Sequence, residues 1–164
     1  MNKSPFKDGV KSALPIVLGY LPVGITFGIL ARKAGLTSFE VGLMSLFVYA
    51  GASQFLTIEM ISKGIPNFSI ILATFFINLR HILMSSNLSV YLQNVRIPTL
   101  GLLSAQMTDE SYAVAISKLP WMKNRPHYLL GLQIISQLAW VGGSVVGALF
   151  SSLATSTGWG LPFA

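Results

Sequence analysis

Five stretches of the chain are apolar over lengths of about a helix span, and short polar segments separate them: Ala13 to Ala31, Phe39 to Ile61, Phe68 to Tyr91, Pro98 to Ser117 and Tyr128 to Leu153. A hydrophobic helix crosses the hydrocarbon core with about 20 residues at about 1.5 Å of rise each. The pattern therefore predicts an all-α, polytopic membrane helix bundle with about five transmembrane helices, some broken at Gly or Pro. Connecting segments such as SKGIPN and KLPWMKNRPH are too short for a soluble domain, so residues 1–164 read as a single membrane domain. The fourth stretch is the least regular. Its apolar run stops at Met107 and gives way to Thr108, Asp109, Glu110 and Ser111, where a re-entrant or surface element is the alternative to a span.

Charge placement decides between these on the positive-inside rule. With five crossings and a cytoplasmic N-terminus, Lys3, Lys7, Lys11, Lys63, Lys118, Lys123 and Arg125 lie inside, against Arg32, Lys33 and Arg96 outside, seven to three. If only the fourth stretch fails to cross, the count becomes four to six, which the rule disfavours. The basic leader MNKSPFKDGVKS resembles that of a signal peptide, but the uncharged stretch from Ser12 to Ala31 exceeds a signal core of about 7 to 15 residues and another apolar stretch follows. It reads as a retained first helix.

Composition supports this picture and excludes others. Of 164 residues 52% are hydrophobic and 10% charged, where a soluble domain carries about a quarter charged residues. Eleven Lys and Arg against five Asp and Glu would suggest nucleic acid in a soluble protein; here they sit mainly between apolar stretches, as topology signals do. There is no cysteine, and two histidines do not make a metal-ligand set. No P-loop, nucleophile elbow or HExxH occurs, so ATP-driven transport by this polypeptide and standard hydrolase chemistry have no support. No cofactor is implied, and no repeat of twenty to fifty residues is visible.

Polar and helix-breaking residues inside the apolar stretches are the candidates for chemistry. The first contains Pro15, Gly19, Pro22, Gly24 and Gly28. Pro22 removes an amide donor and leaves the Leu18 carbonyl without its ladder partner, and groups freed in lipid need protein, water or a solute. Gly24 and Gly28 equally form a GxxxG pair for helix packing. In the second stretch, Gly51, Ala52, Ser53 and Gln54 interrupt a bulky run; unwinding at Gly51 to Ser53 would bare amides able to hold a carboxylate, with close packing again the alternative. Glu59, four residues before Lys63, reads as interfacial.

The third stretch is the most informative. Asn78, Arg80 and His81 fall at its middle, where a charge costs at least about 2.5 kcal/mol and persists only with a partner or a wet cavity. Thr74, Asn78, His81 and Ser85 share one helical face, with Arg80 about 100° away from His81. This predicts a helix buried among neighbours and an Arg80 that reaches a carboxylate, of the protein or of a substrate. Asp109 and Glu110 are the adjacent acidic pair that could supply it. His81 could relay protons or simply hydrogen bond; His127, beside Arg125, reads as interface chemistry. In the fifth stretch Gly143 and Gly147 form a second GxxxG pair beside Gly142 and Trp140, which predicts helix contact and no chemistry.

With these residues in hand, the sequence resembles the AzlC family of branched-chain amino acid permeases. The resemblance rests on Gly19, Pro22, Gly24 and Gly28, on GASQF at Gly51 to Phe55, on NLRH at Asn78 to His81 and on TDE at Thr108 to Glu110, in an order that runs through nearly the whole chain. It implies a bacterial inner-membrane exporter of valine, isoleucine, leucine or related amino acids, acting with a small hydrophobic membrane subunit of the AzlD type. Such members continue past a segment like Gly160 to Ala164 into further helices, so the sequence reads as C-terminally shortened. The expected substrate site comprises Pro22, Gly24, Gly51, Ala52, Ser53, Gln54, Asn78, Arg80, His81, Asp109 and Glu110. Arg80 or the Gly51 to Ser53 amides would take the carboxylate and Asp109 or Asn78 the ammonium, since a desolvated charge needs a counter-charge. The competing readings are a structural membrane subunit or inactive fragment in which Arg80 and Asp109 only hold helices together, and, with less support, an intramembrane enzyme.

Overall fold

The computed structural model describes residues 4–156; the apolar passage suggested beyond, including Gly160 to Ala164, lies outside the described residues. Seven α-helices follow one another: α1 (Pro5–Lys33), α2 (Ser38–Phe47), α3 (Gly51–Ser62), α4 (Asn67–Ser89), α5 (Ile97–Ala105), α6 (Asp109–Lys118) and α7 (Arg125–Ser156), with a 3₁₀ turn at Leu119–Trp121. The described residues contain no strand, and the fold is an all-α membrane helix bundle. Helices α1, α4 and α7 are long and apolar enough to cross a membrane. The second and fourth apolar stretches each fold as two short helices, broken at 48–50 and 106–108.

Local chemistry explains these boundaries. After α1 the chain turns through Gly35 at φ 98°, and the Leu36 amide closes back on the Ala31 carbonyl at 3.1 Å, an end that glycine makes cheap. Gly64 at φ 65° ends α3 in the same way. Thr37 opens α2 with a reciprocal cap to Glu40, and Thr108 opens α6 with one to Ser111, each satisfying otherwise orphaned amides. At the α2–α3 break Tyr49 adopts φ 41°, a left-handed conformation costing a bulky residue about 1–3 kcal/mol.

The chain divides into two compact units. Unit 1 takes the chain up to Gly19 together with Phe75–Leu138, and unit 2 takes Tyr20–Thr74 with the chain from Ala139 onward. In unit 1, Gly9 lies on the backbone of Tyr128 and Leu132, Gly131 lies on that of Phe6 and Val10, and Leu88, Leu103, Leu119, Leu129 and Leu132 are buried. In unit 2 the two GxxxG pairs pack on each other. A Cβ at Gly24 would stand 3.0 Å from the Trp140 carbonyl oxygen and one at Gly143 2.9 Å from that of Leu21, while Gly28 abuts Ser144 and Gly147 abuts Ile25. The pairing advances in step along both helices, so α1 and α7 run in the same direction. Tyr20, Phe27, Phe55 and Trp140 cluster beside them, with edge-on and stacked rings 5.4–6.0 Å apart.

Two open alternatives are decided and one expectation is corrected. Helix α1 continues through Pro22 without interruption: a proline forfeits one ladder bond, and tight packing on α7 holds the rest of the helix. Gly51 to Ser53 are not unwound; the break lies just before them, and they form the first turn of α3. Helix α4 is not buried among neighbours, since Phe68, Ile71, Phe75, Phe76, Ile82 and Leu83 are exposed. An apolar face of this kind is stable where lipid or another membrane helix meets it.

Candidate functional site

The residues singled out by sequence fall into both units. Asn78, Arg80, His81, Asp109 and Glu110 belong to unit 1, and Pro22, Gly24 and Gly51 to Gln54 belong to unit 2.

In unit 1, Arg80 at the middle of α4 meets Asp109 at the start of α6, Nη1 to Oδ2 at 2.6 Å. The Thr108 cap fixes the first turn of α6 and so aims Asp109 at α4. Both side chains are partly exposed. The pair does not exhaust the guanidinium: Arg80 Nε is buried with no hydrogen-bond partner among the described residues. The same holds for Asn78 Oδ1, His81 Nε2 and Ser85 Oγ, the remaining polar stripe of α4 in this unit. Glu110 lies exposed in the first turn of α6. Buried polar atoms are nearly always satisfied, so these four atoms remain open to a further partner.

Side chains at and before the break at 106–108 tie α5 to α7. Gln106 Nε2 donates to Gln137 Oε1 at 2.8 Å, and Gln133 Nε2 donates to the Leu103 carbonyl at 2.8 Å. Gln133 is fully buried, and its Oε1, like Gln106 Oε1, has no donor among the described residues. Sequence reasoning missed Gln106, Gln133 and Gln137. The signal was available, since three amides at 106, 133 and 137 are unusual in apolar stretches, and the last two lie four residues apart on one helical face.

In unit 2 the α2–α3 break is closed by side chains. Gln54, fully buried, accepts at Oε1 from the Trp140 indole N–H at 3.0 Å and from the Ala50 amide at 3.2 Å, and its Nε2 donates to Ser45 Oγ at 3.4 Å. Ser53 Oγ donates to the Ala50 carbonyl at 2.9 Å. The Gly51, Ala52 and Ser53 amides open α3 and have no intrahelical acceptor. Gly24 is buried against α7 and Pro22 is exposed. Trp140, to which the sequence assigned no chemistry, is a central contact here. Glu59 pairs with Lys63 on an exposed surface, and no group of three or more possible metal ligands occurs among the described residues.

Comparison with known proteins gives a consistent result. The AzlC protein family matches over residues 15–154. An uncharacterized membrane protein of Archaeoglobus fulgidus is 40% identical, covering 90% of this chain and 63% of the relative. The inner membrane protein YgaZ of Escherichia coli is 33% identical, over 92% of this chain and 63% of that protein. The branched-chain amino acid transport protein AzlC of Bacillus subtilis is 23% identical, over 99% and 66%. The chain thus spans about 63% of the length of the first two of these relatives. No solved structure matches it.

Proposed function

Because the chain belongs to the AzlC family, we propose that it forms the solute-handling core of a branched-chain amino acid transporter of the bacterial inner membrane. The direction is export, the N-terminus is cytoplasmic, and a small AzlD-type membrane subunit assists. The transport protein of this family in Bacillus subtilis carries branched-chain amino acid transport in its name, and the E. coli relative is named an inner membrane protein.

The observation that carries the reading to a site is Arg80 in unit 1. One of its nitrogens pairs with Asp109 while its buried Nε has no acceptor among the described residues. An α-carboxylate docked there completes the guanidinium, and Asn78 Oδ1 and Asp109 supply acceptors for the ammonium. In unit 2 the first-turn amides of α3, Gly51 to Ser53, are a second candidate position for a carboxylate. Apolar side chains on the same helices suit an aliphatic substrate.

The test is efflux of labelled valine, isoleucine and leucine from cells expressing the chain, with and without the small subunit. Arg80→Ala removes a charge-assisted hydrogen bond worth about 1.5–3 kcal/mol, so export falls about 10- to 150-fold, while the exposed Lys63→Ala leaves it unchanged. Exchanging the pair, Arg80→Asp with Asp109→Arg, separates a structural role from a solute site. Retained export after the exchange rejects the site, and lost export with intact membrane insertion supports it.

A further inference from the structure

In unit 1 the segments before α5 and after α6 lie side by side. Arg125, at the start of α7, donates from Nη1 to the Tyr91 carbonyl at 3.1 Å and from Nε to the Leu119 carbonyl at 3.0 Å. Its Cζ stands 5.5 Å from the centroid of the Tyr91 ring. The segment after α4 and the segment before α7 wall one cavity of about 560 Å³, with Gln93 and Asn94 from the first and Lys123 and Asn124 from the second. Had α5 and α6 together crossed the membrane, about 30 Å of hydrocarbon would separate these segments.

The two helices instead reverse. Helix α5 runs alongside α7 and away from its start, from Leu103 on Gln133 to Gln106 on Gln137. Helix α6 returns alongside α4, from Asp109 on Arg80 to Tyr112 on Asn87, and ends where α4 ends. With 9 and 10 residues, at about 1.5 Å per residue each reaches only about half of the hydrocarbon thickness. The turn at 106–108 is therefore the deep end of the segment. The Leu103 carbonyl can only accept, so it fixes the orientation of the Gln133 amide and leaves Oε1 as a fully buried acceptor at that end. Gln106 Oε1 is a second. Two neutral amide oxygens without donors among the described residues suit an ammonium group and repel an anion.

We infer that α5–α6 is a re-entrant hairpin entering from the face where α7 begins, and that Gln133 and Gln106 at its tip add to Asn78 and Asp109 as acceptors for the ammonium of the transported solute. The assignment of the ligand rests on the transport reading above; the hairpin does not. A separate set of contacts carries the same reversal for α2–α3 in unit 2. Helix α2 runs against α7, with Ser38 Oγ 3.4 Å from Ser152 Oγ, Gly42 beside Val145, and Ser45 joined through Gln54 to Trp140. Helix α3 then runs with α1, from Tyr49 against Tyr20 to Phe55 against Phe27. This hairpin opens toward the ends of α1 and α7.

The chain contains no cysteine, so single replacements report without background. Ala34→Cys, Lys63→Cys, Asn94→Cys and Lys123→Cys in the full chain are exposed to a membrane-impermeant maleimide in right-side-out and inverted vesicles. Positions 94 and 123 label from the same face as each other, and 34 and 63 likewise from the same face as each other. Labelling of 94 from the face opposite 123 overturns the α5–α6 hairpin, and labelling of 63 from the face opposite 34 overturns that of α2–α3. For the tip, Ser104→Cys labels from the face of 94 and 123, and added valine slows the labelling. Gln133→Leu abolishes that protection and raises the KM for valine about tenfold or more. An unchanged KM with intact transport rejects the acceptor site and spares the transport reading. Valine without effect on transport or labelling in the parent chain rejects both, and the four labelling faces still decide the hairpins.

Discussion

Gln54 and Trp140 are 86 residues apart, and the hydrogen bond between them closes the α2–α3 break in unit 2. Trp140→Phe keeps a ring that can stack on Phe27, 6.0 Å away in the parent, but deprives a fully buried amide oxygen of one of its donors. A buried polar group left short costs about 1–3 kcal/mol, so the variant in detergent unfolds at a lower temperature. Adding Gln54→Leu recovers part of the loss, because removing both ends of a buried hydrogen bond costs less than removing one. A double variant as unstable as the sum of the singles rejects the bond as the cause. GASQF was legible as an unusual motif, but its partner was not, since no local pattern links residue 54 to residue 140. Arg80 and Asp109 differ in this respect. A charge inside an apolar stretch demands a counter-charge, and the chain has few acids to choose from, so chemistry alone narrowed the pairing.

Packing of α1 on α7 in unit 2 depends on glycines whose positions a Cβ would fill with backbone atoms of the other helix. Gly28 faces the Ser144 carbonyl and Gly147 the Ile25 carbonyl, whereas Gly19 and Gly142 have open space where their Cβ would stand. Backbone cannot swing aside as a flexible side chain can. Gly28→Ala and Gly147→Ala should each lose about 1–3 kcal/mol or more by overpacking, measured as a lower unfolding temperature, while Gly142→Ala stays within a few tenths of a kcal/mol or gains from helix propensity. Equal effects at 28 and 142 would reject glycine contact as the determinant. Both GxxxG pairs were visible in the sequence; that they meet each other was not, because the motif specifies a close-packing face and not its occupant. The opposite lesson comes from α4. Its polar stripe predicted burial, yet the helix has an exposed apolar face, since one polar row and one apolar row can occupy different sides of the same cylinder.

For the whole chain, the positive-inside rule and the contacts bear on the same question with different power. With α2–α3 and α5–α6 as hairpins, only Lys63 and Arg96 are counted differently under the positive-inside rule. The count stays seven to three, identical to that for five crossings, because the two simply exchange places in it. Three crossings and five crossings are both odd, so a phosphatase reporter fused after Ser156 is active when the N-terminus is cytoplasmic; an inactive fusion in a stably inserted chain means an even number and rejects both arrangements. The sequence by itself determined that the chain lives in a membrane, where its five apolar stretches lie, which residues form the polar stripe, and that the fourth stretch falters near residue 107. Hydropathy could do no more, because it measures how much a segment favours lipid and is blind to the direction in which a short helix runs. Only the tertiary structure decided that direction, through side chains such as Arg125 that tie together two segments a crossing would have kept a membrane's thickness apart.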